Sequence, residues 1–267
     1  MCFRPIGPRS DRIRSDPVTT SKIVLVTGAG AGLGRAMTHA LTAAGHQVVA
    51  VGRTRATLDE TAAAAPGPGG VDVVPADVTD PAAVDEVFAH LTRQWGRLDV
   101  LVNNAGIFGP SKPIDELSAG DWRQVVDINL TGAFLCAQAA FRLMKTQTPR
   151  GGRIINNGSI SAHTPRPNTV AYAASKHGIT GLTKALNLEG RAHDIAVGQI
   201  DIGNAATELT AGIAAGSLQA DGSIRPEPTI DAAHVARVVA QTVDLPLEVN
   251  IPFVTVMATG MPYIGRG

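Results

Sequence analysis

From Lys22 onward the chain alternates short β-rich apolar runs with longer segments rich in Ala and Leu, and this alternation constrains the fold more than any other feature. The runs cover residues 23–27, 47–51, 71–75, 98–103, 153–157, 196–200 and 253–257. Most are continuously apolar rather than alternating, as expected of parallel strands buried on both faces. Between them lie helical patterns at 34–44, 56–65, 81–95, 122–145, 172–191 and 232–243. Alternating β and α joined by short links implies a doubly wound α/β domain, a seven-stranded parallel sheet with helices on both faces. No internal repeat interrupts the pattern, so residues 21–267 are expected to form one domain.

The 267 residues are 44% hydrophobic and 17% charged, enough apolar material for a large core without disulfides. Lys plus Arg and Asp plus Glu both number 23, so no net charge draws the chain to nucleic acid or to an anionic membrane. No apolar run reaches bilayer-spanning length. Cys2 and Cys136 are far apart and the histidines show no metal-ligand spacing. Cys136 reads as a small core residue, no metal is expected, and a reducing, cytoplasmic setting fits. Residues 1–20 carry four arginines and three prolines without an apolar stretch. They read as a flexible N-terminal arm or an over-extended start of the reading frame, not as a secretory signal.

The first strand ends in Thr27-Gly-Ala-Gly-Ala-Gly-Leu-Gly34, and a helical pattern follows at once. Glycines there let the backbone turn tightly and let a pyrophosphate approach amides at a helix N-terminus. A glycine turn alone is also compatible with a simple tight connection; its place between strand one and helix one favours a dinucleotide. Farther on, Tyr172 and Lys176 stand four residues apart, on one face of a helix. A free phenol titrates near 10, and a neighbouring ammonium favours the phenolate, so the pair can act as general acid and base.

Taken together these motifs resemble the short-chain dehydrogenase/reductase family over nearly everything after Lys22. The family's cofactor turn is met by Thr27, Gly28, Gly32 and Gly34, with Leu33 inside it. Its adenine-contacting acid corresponds to Asp77, followed by Val78, and its Asn-Asn-Ala-Gly segment to Asn103, Asn104, Ala105 and Gly106. Its helical asparagine corresponds to Asn129, and its serine, thirteen positions before the tyrosine, to Ser159. The resemblance implies a Rossmann domain and a hydride-transfer oxidoreductase that interconverts a carbonyl and a secondary alcohol on a small molecule. Tyr172 would exchange the proton and Ser159 would hold the oxygen. Lys176 would bind the nicotinamide ribose and depress the phenol's pKa, and Asn129 would anchor a water. An epimerase or dehydratase on the same fold, or a dinucleotide sensor without catalysis, are the alternatives. The family also implies a homodimer or homotetramer built on the helices bearing Asn129 and Tyr172.

At the end of strand two, where an acid would hold a ribose diol and repel a 2′-phosphate, stand Gly52, Arg53 and Arg55. A guanidinium pairs well with phosphate, so NADP is the expected cofactor and NAD a possible one.

The chain departs from the family at three places. Ile202-Gly203 replaces Pro-Gly after strand six, with Thr207 still placed to serve the cofactor; losing the proline frees φ and restores an amide donor. Asn157 stands in strand five where an apolar residue is usual, so it must brace the active-site loop or line the substrate pocket. The tail lacks the usual Asp-Gly-Gly and is expected at a subunit boundary. His163 reads as a loop histidine facing water or substrate, and Trp122 and Phe134 as core or dimer contacts. Residues 204–229 read as a lid or binding loop, with Leu209, Ile213 and Leu218 at roughly helical spacing.

Overall fold

The computed structural model describes residues 21–207 and 216–264. Seven strands form one parallel sheet: β1 (Ile23–Thr27), β2 (Gln47–Gly52), β3 (Val71–Pro75), β4 (Val100–Asn103), β5 (Gly152–Asn157), β6 (Ile195–Gly203) and β11 (Phe253–Met257). Their order across the sheet is β11-β6-β5-β4-β1-β2-β3. The fold is therefore the α/β, doubly wound arrangement expected from the alternation.

Side chains leave each strand on alternate faces, and the core divides accordingly. Ile23, Leu25, Val49, Val51 and Leu101 pack beneath α3 (Pro81–Trp95) and α5 (Gly132–Thr146). Val24, Val26, Val48, Val100 and Val102 pack beneath α1 (Gly32–Ala43) and α7 (Ala232–Asp244). Each such side chain contributes roughly 1.5–3 kcal/mol when fully removed from water. Cys136 belongs to the first layer, and burial pushes its thiol up to about 12, which makes it inert. Among the described residues no helix is long and apolar enough to cross a membrane.

Several helix ends carry their own signals. Asp80 caps α3 by accepting from the Ala82 amide, with Pro81 in the first turn, and Asp231 caps α7 by accepting from Ala233. Such caps stabilise by about 1 kcal/mol each. The predicted helix over 122–145 is three pieces: α4 (Ala119–Val126), a π turn (Asp127–Thr131) and α5. The strand predicted from residue 98 starts at Val100, because the Leu98 amide is spent on the Gln147 side chain.

The predicted strand over 196–200 extends to Gly203. Without proline, Ile202 stays in register opposite Val256, and the chain turns instead at Asn204, whose φ is 51°. The next residues form a short parallel pair, β7 (Ala205–Ala206) with β10 (Ile230–Asp231). Between these lies a hairpin of β8 (Ser217–Leu218) and β9 (Ile224–Arg225). Leu218 is thus in a strand, while Leu209 and Ile213 lie outside the described residues. The tail's Ala258 and Met261 pack on Ile160 of the serine segment, so this part of it closes a corner of its own protomer.

Candidate active site

The order of strands reverses between β1 and β4: one neighbour follows β1 in sequence, the other returns from across the sheet. Helices leaving in opposite directions open a crevice at the carboxyl ends of these strands. A cleft of about 370 Å³ lies there. Gly28, Gly32, Leu33 and Gly34 form one wall, Asn104, Ala105 and Gly106 the next, and Ser159, Tyr172, Lys176 and Thr207 the remainder.

The glycine turn is shaped by close approach. Gly28 and Gly32 have φ of 66° and 50°, a region that L side chains rarely adopt. A Cβ on Gly34 would lie 2.0 Å from the Gly28 carbonyl oxygen, and one on Gly28 would lie 2.9 Å from Ala105 Cα. Asn104 is locked beside them. Its side-chain amide donates to the Thr27 carbonyl at 2.9 Å, its backbone amide donates to Thr27 Oγ1, and its Oδ1 accepts from Asn157 Nδ2 at 2.9 Å. Asn157 therefore braces the cleft floor with its side chain, and its carbonyl accepts from Lys176 Nζ at 2.7 Å. It also lines the cleft, so both expected roles coincide in it.

Tyr172 and Lys176 come from α6 (Val170–Gly190) and Ser159 from the turn after β5. Tyr172 and Ser159 line the same cleft, and the Tyr172 ring lies against Phe108 with centroids 4.7 Å apart. Lys176 is buried, with Nζ 5.7 Å from the Tyr172 ring centroid. One expectation is corrected here. Burial pushes the Tyr172 phenol up, against the Ser159 hydroxyl and the Arg166 guanidinium, which pull it down, so the net shift is upward rather than the expected lowering. Instead burial brings Lys176 itself down to about 8, with the Asp201 carboxylate pulling the other way.

Asn129 does not reach the cleft. It is buried in the π turn, where Oδ1 accepts from the Ile107 amide at 2.8 Å and Nδ2 donates to the Ile107 carbonyl and to Ser175 Oγ. It pins the loop after β4 to α6. Arg53 and Asp77 lie away from the reacting groups, at the ends of β2 and β3. Arg53 is exposed. Asp77 Oδ1 accepts from the Thr79 amide at 2.9 Å, and that bond, more than the Arg53 charge, holds its carboxyl below the usual range. The Val78 side chain is buried in the core, where a Cβ on Gly132 would strike it.

Three charged groups, Asp201, Arg166 and Glu227, carried no mark in the sequence motifs. Asp201, buried in β6, accepts from the Ser159 amide at 2.9 Å, from Gln199 Nε2 at 2.7 Å and from His163 Nε2 at 2.9 Å. His163 is therefore tied to this carboxylate. A carboxylate inside an otherwise apolar strand was the available signal. Arg166 also lines the cleft and pairs with the buried Glu227; nothing in the local sequence marked that pair.

Comparisons with known proteins bear on the family and the fold. A family model described as short chain dehydrogenase matches residues 22–217. A 3beta-hydroxysteroid dehydrogenase from Mediterraneibacter gnavus is 43% identical over 169 residues, which span 63% of this chain and 60% of that one. A solved closed form of serine dehydrogenase complexed with NADP+ superposes with a TM-score of 0.79 at 29% identity, over 91% of this chain and 97% of the other. A 3-ketoacyl-(acyl-carrier-protein) reductase from Brucella melitensis complexed with NADH gives a TM-score of 0.77 at 25% identity, over 88% and 96%.

Proposed function

The chain belongs to the short-chain dehydrogenase/reductase family, and on that premise we propose that it is an NADP-preferring oxidoreductase, able to use NAD, that interconverts a carbonyl and a secondary alcohol on a small molecule. The observation that carries this reading is the convergence of Ser159, Tyr172 and Lys176 on one cleft beside a glycine turn that side chains would obstruct. A dinucleotide fits the residues present. The tight turn at Gly28–Gly34 leaves backbone where a Cβ would collide, and Asn104 holds the facing wall rigid. The bound nicotinamide would supply or accept the hydride.

The chain's own residues account for the proton. Ser159 and Tyr172 line the same cleft, so both hydroxyls can meet one substrate oxygen. A phenol pushed up by burial stays protonated through neutral pH, which suits donation to a carbonyl oxygen as it gains charge. Lys176, anchored on the Asn157 carbonyl, keeps a positive charge near that oxygen below about pH 8. Exposed Arg53 favours NADP, since no carboxylate stands at the end of β2 to repel a 2′-phosphate. The relatives crystallised with NADP+ and with NADH support a site that accepts either form. Exposed Trp122 and Phe134, on α4 and α5, support assembly of a dimer or tetramer through that side of the molecule.

The deciding experiment follows NADPH consumption at 340 nm with a panel of ketones and aldehydes. Carbonyl-dependent oxidation of NADPH supports the reading; tight NADPH binding with no turnover of any carbonyl would leave a sensor instead.

A further inference from the structure

Among the described residues, the cleft has two charged side chains in its lining, both cationic, Lys176 and Arg166. Lys176 is committed to the Asn157 carbonyl beside the glycine wall. Arg166 lines the same cleft, as does Asn204, to which it donates. No carboxylate of the described residues stands in the lining itself.

The guanidinium is aimed rather than loose. Its Nη2 donates to Asn204 Oδ1 at 2.8 Å and to Glu227 Oε2. Asn204 Nδ2 also donates to Glu227 Oε2 at 2.8 Å, and Gln219 Nε2 donates to Oε1 at 3.0 Å. Glu227 therefore has both oxygens engaged, and these donors hold its carboxyl down to about 2 despite burial. A carboxylate so satisfied, and outside the cleft lining, orients Arg166 from behind. Arg166 spends one terminal nitrogen on that contact, while its Nε is buried without a hydrogen-bond partner. A guanidinium has five donors, and its planar fork matches an oxyanion.

Resting on the proposed oxidoreductase reading, we infer that Arg166 is the specificity determinant of the substrate end and receives a carboxylate carried by the carbonyl or alcohol substrate. The apolar neighbours Phe108, Ile160 and Ile202 would take the carbon skeleton between the two polar ends. A carboxylate beside this cation gains a charge-assisted, potentially bidentate contact in a site with little water. A neutral amide of the same shape would instead place its own donors against the donors of Arg166.

The test compares 4-oxocyclohexanecarboxylate with 4-oxocyclohexanecarboxamide, which share ring and ketone and differ in charge, as substrates of the NADPH-loaded full chain. The acid is expected to exceed the amide in kcat/KM by roughly ten- to a hundredfold. Arg166→Gln should bring that ratio to about one, and Arg166→Lys should leave it between the two. NADPH affinity, followed by fluorescence, should stay within about twofold throughout. A wild-type ratio near one, or a ratio that survives Arg166→Gln, overturns the inference. So does a parallel loss of NADPH affinity, which would assign Arg166 to the cofactor phosphates. If Arg166→Gln does not fold, the wild-type ratio and its fall in Arg166→Lys decide the matter.

Calorimetric binding of cyclohexanecarboxylate against cyclohexanecarboxamide to the enzyme–NADP+ complex separates this inference from the reading beneath it. Carboxylate binding that depends on Arg166, without turnover of either ketone, sinks the oxidoreductase reading and keeps the anion site. Turnover of both ketones with no preference for the acid does the reverse.

Discussion

The backbone amide of Ser159 donates to the buried carboxylate of Asp201 at 2.9 Å, so the residue that would hold the substrate oxygen is anchored from the strand beneath it. The same carboxylate accepts from Gln199 and meets His163, joining β6 to both sides of the serine turn.

Asp201→Leu should leave the Ser159 amide without an acceptor and reduce Gln199 Nε2 to its one remaining bond, to Thr180 Oγ1. At about 1–3 kcal/mol for each buried donor, a loss of roughly 2–5 kcal/mol is expected in urea denaturation. Asp201→Asn keeps one oxygen for Ser159 and should lose about half as much or less. Equal stability of Asp201→Leu and wild type would mean the amide finds another partner.

Tyr172→Phe removes the proposed proton donor and leaves the ring against Phe108. Turnover should fall by roughly 10²- to 10⁴-fold, the usual contribution of a placed acid. NADPH affinity should change by less than about threefold, because the glycine cradle is untouched. Steady-state kinetics and a fluorescence titration check the two halves separately, and a mutant as active as wild type refutes the assignment.

The pH profile should report Lys176. Its pKa is lowered by burial to about 8, so its charge is complete below that value and lost as pH rises through it. The phenol is shifted the other way and remains protonated across this range. For NADPH-driven reduction, kcat/KM should be level below pH 8 and fall by up to about tenfold per pH unit above it. A profile level to pH 10, with the protein still folded, would remove Lys176 from the protonation scheme.

Arg53→Ala should weaken NADPH binding by roughly tenfold or more, as expected for losing a charge-assisted contact to phosphate, and change NADH binding little. An unchanged ratio of the two affinities would place the preference elsewhere.

Gly34→Ala forces a Cβ to within 2.0 Å of the Gly28 carbonyl oxygen, a backbone atom that cannot swing aside. The turn must open, and dinucleotide binding should be lost together with about 3 kcal/mol or more of stability. Gly181→Ala, where a Cβ meets nothing within 4 Å, is the matched control. Thermal denaturation with and without NADPH distinguishes the two.

What could be read beforehand followed from local pattern. Apolar runs such as 23–27 are strands because both faces of that segment are buried, and burial on both faces leaves a mark in composition. The glycine turn was legible because its chemistry is confined to consecutive residues. The break of the 122–145 helix was not, since one wide turn at Asp127–Thr131 leaves the apolar spacing nearly intact while rotating Asn129 inward. Arg166 and Glu227 are 61 residues apart and meet only through the path of the loop after β6. The direction of the phenol's shift was equally hidden, because spacing gives Tyr172 its lysine neighbour but says nothing about how dry the site is.

The pairing of Ala205 with Ile230 and of Ala206 with Asp231 ties together the two ends of the long excursion that follows β6. A loop closed at its neck is insulated. Lengthening the turn between β8 and β9 would cost little loop-closure entropy and would not shift the start of α7 or the register of the central sheet. Gln219 and Glu227 on either side of that turn must stay, since they hold Arg166 in place.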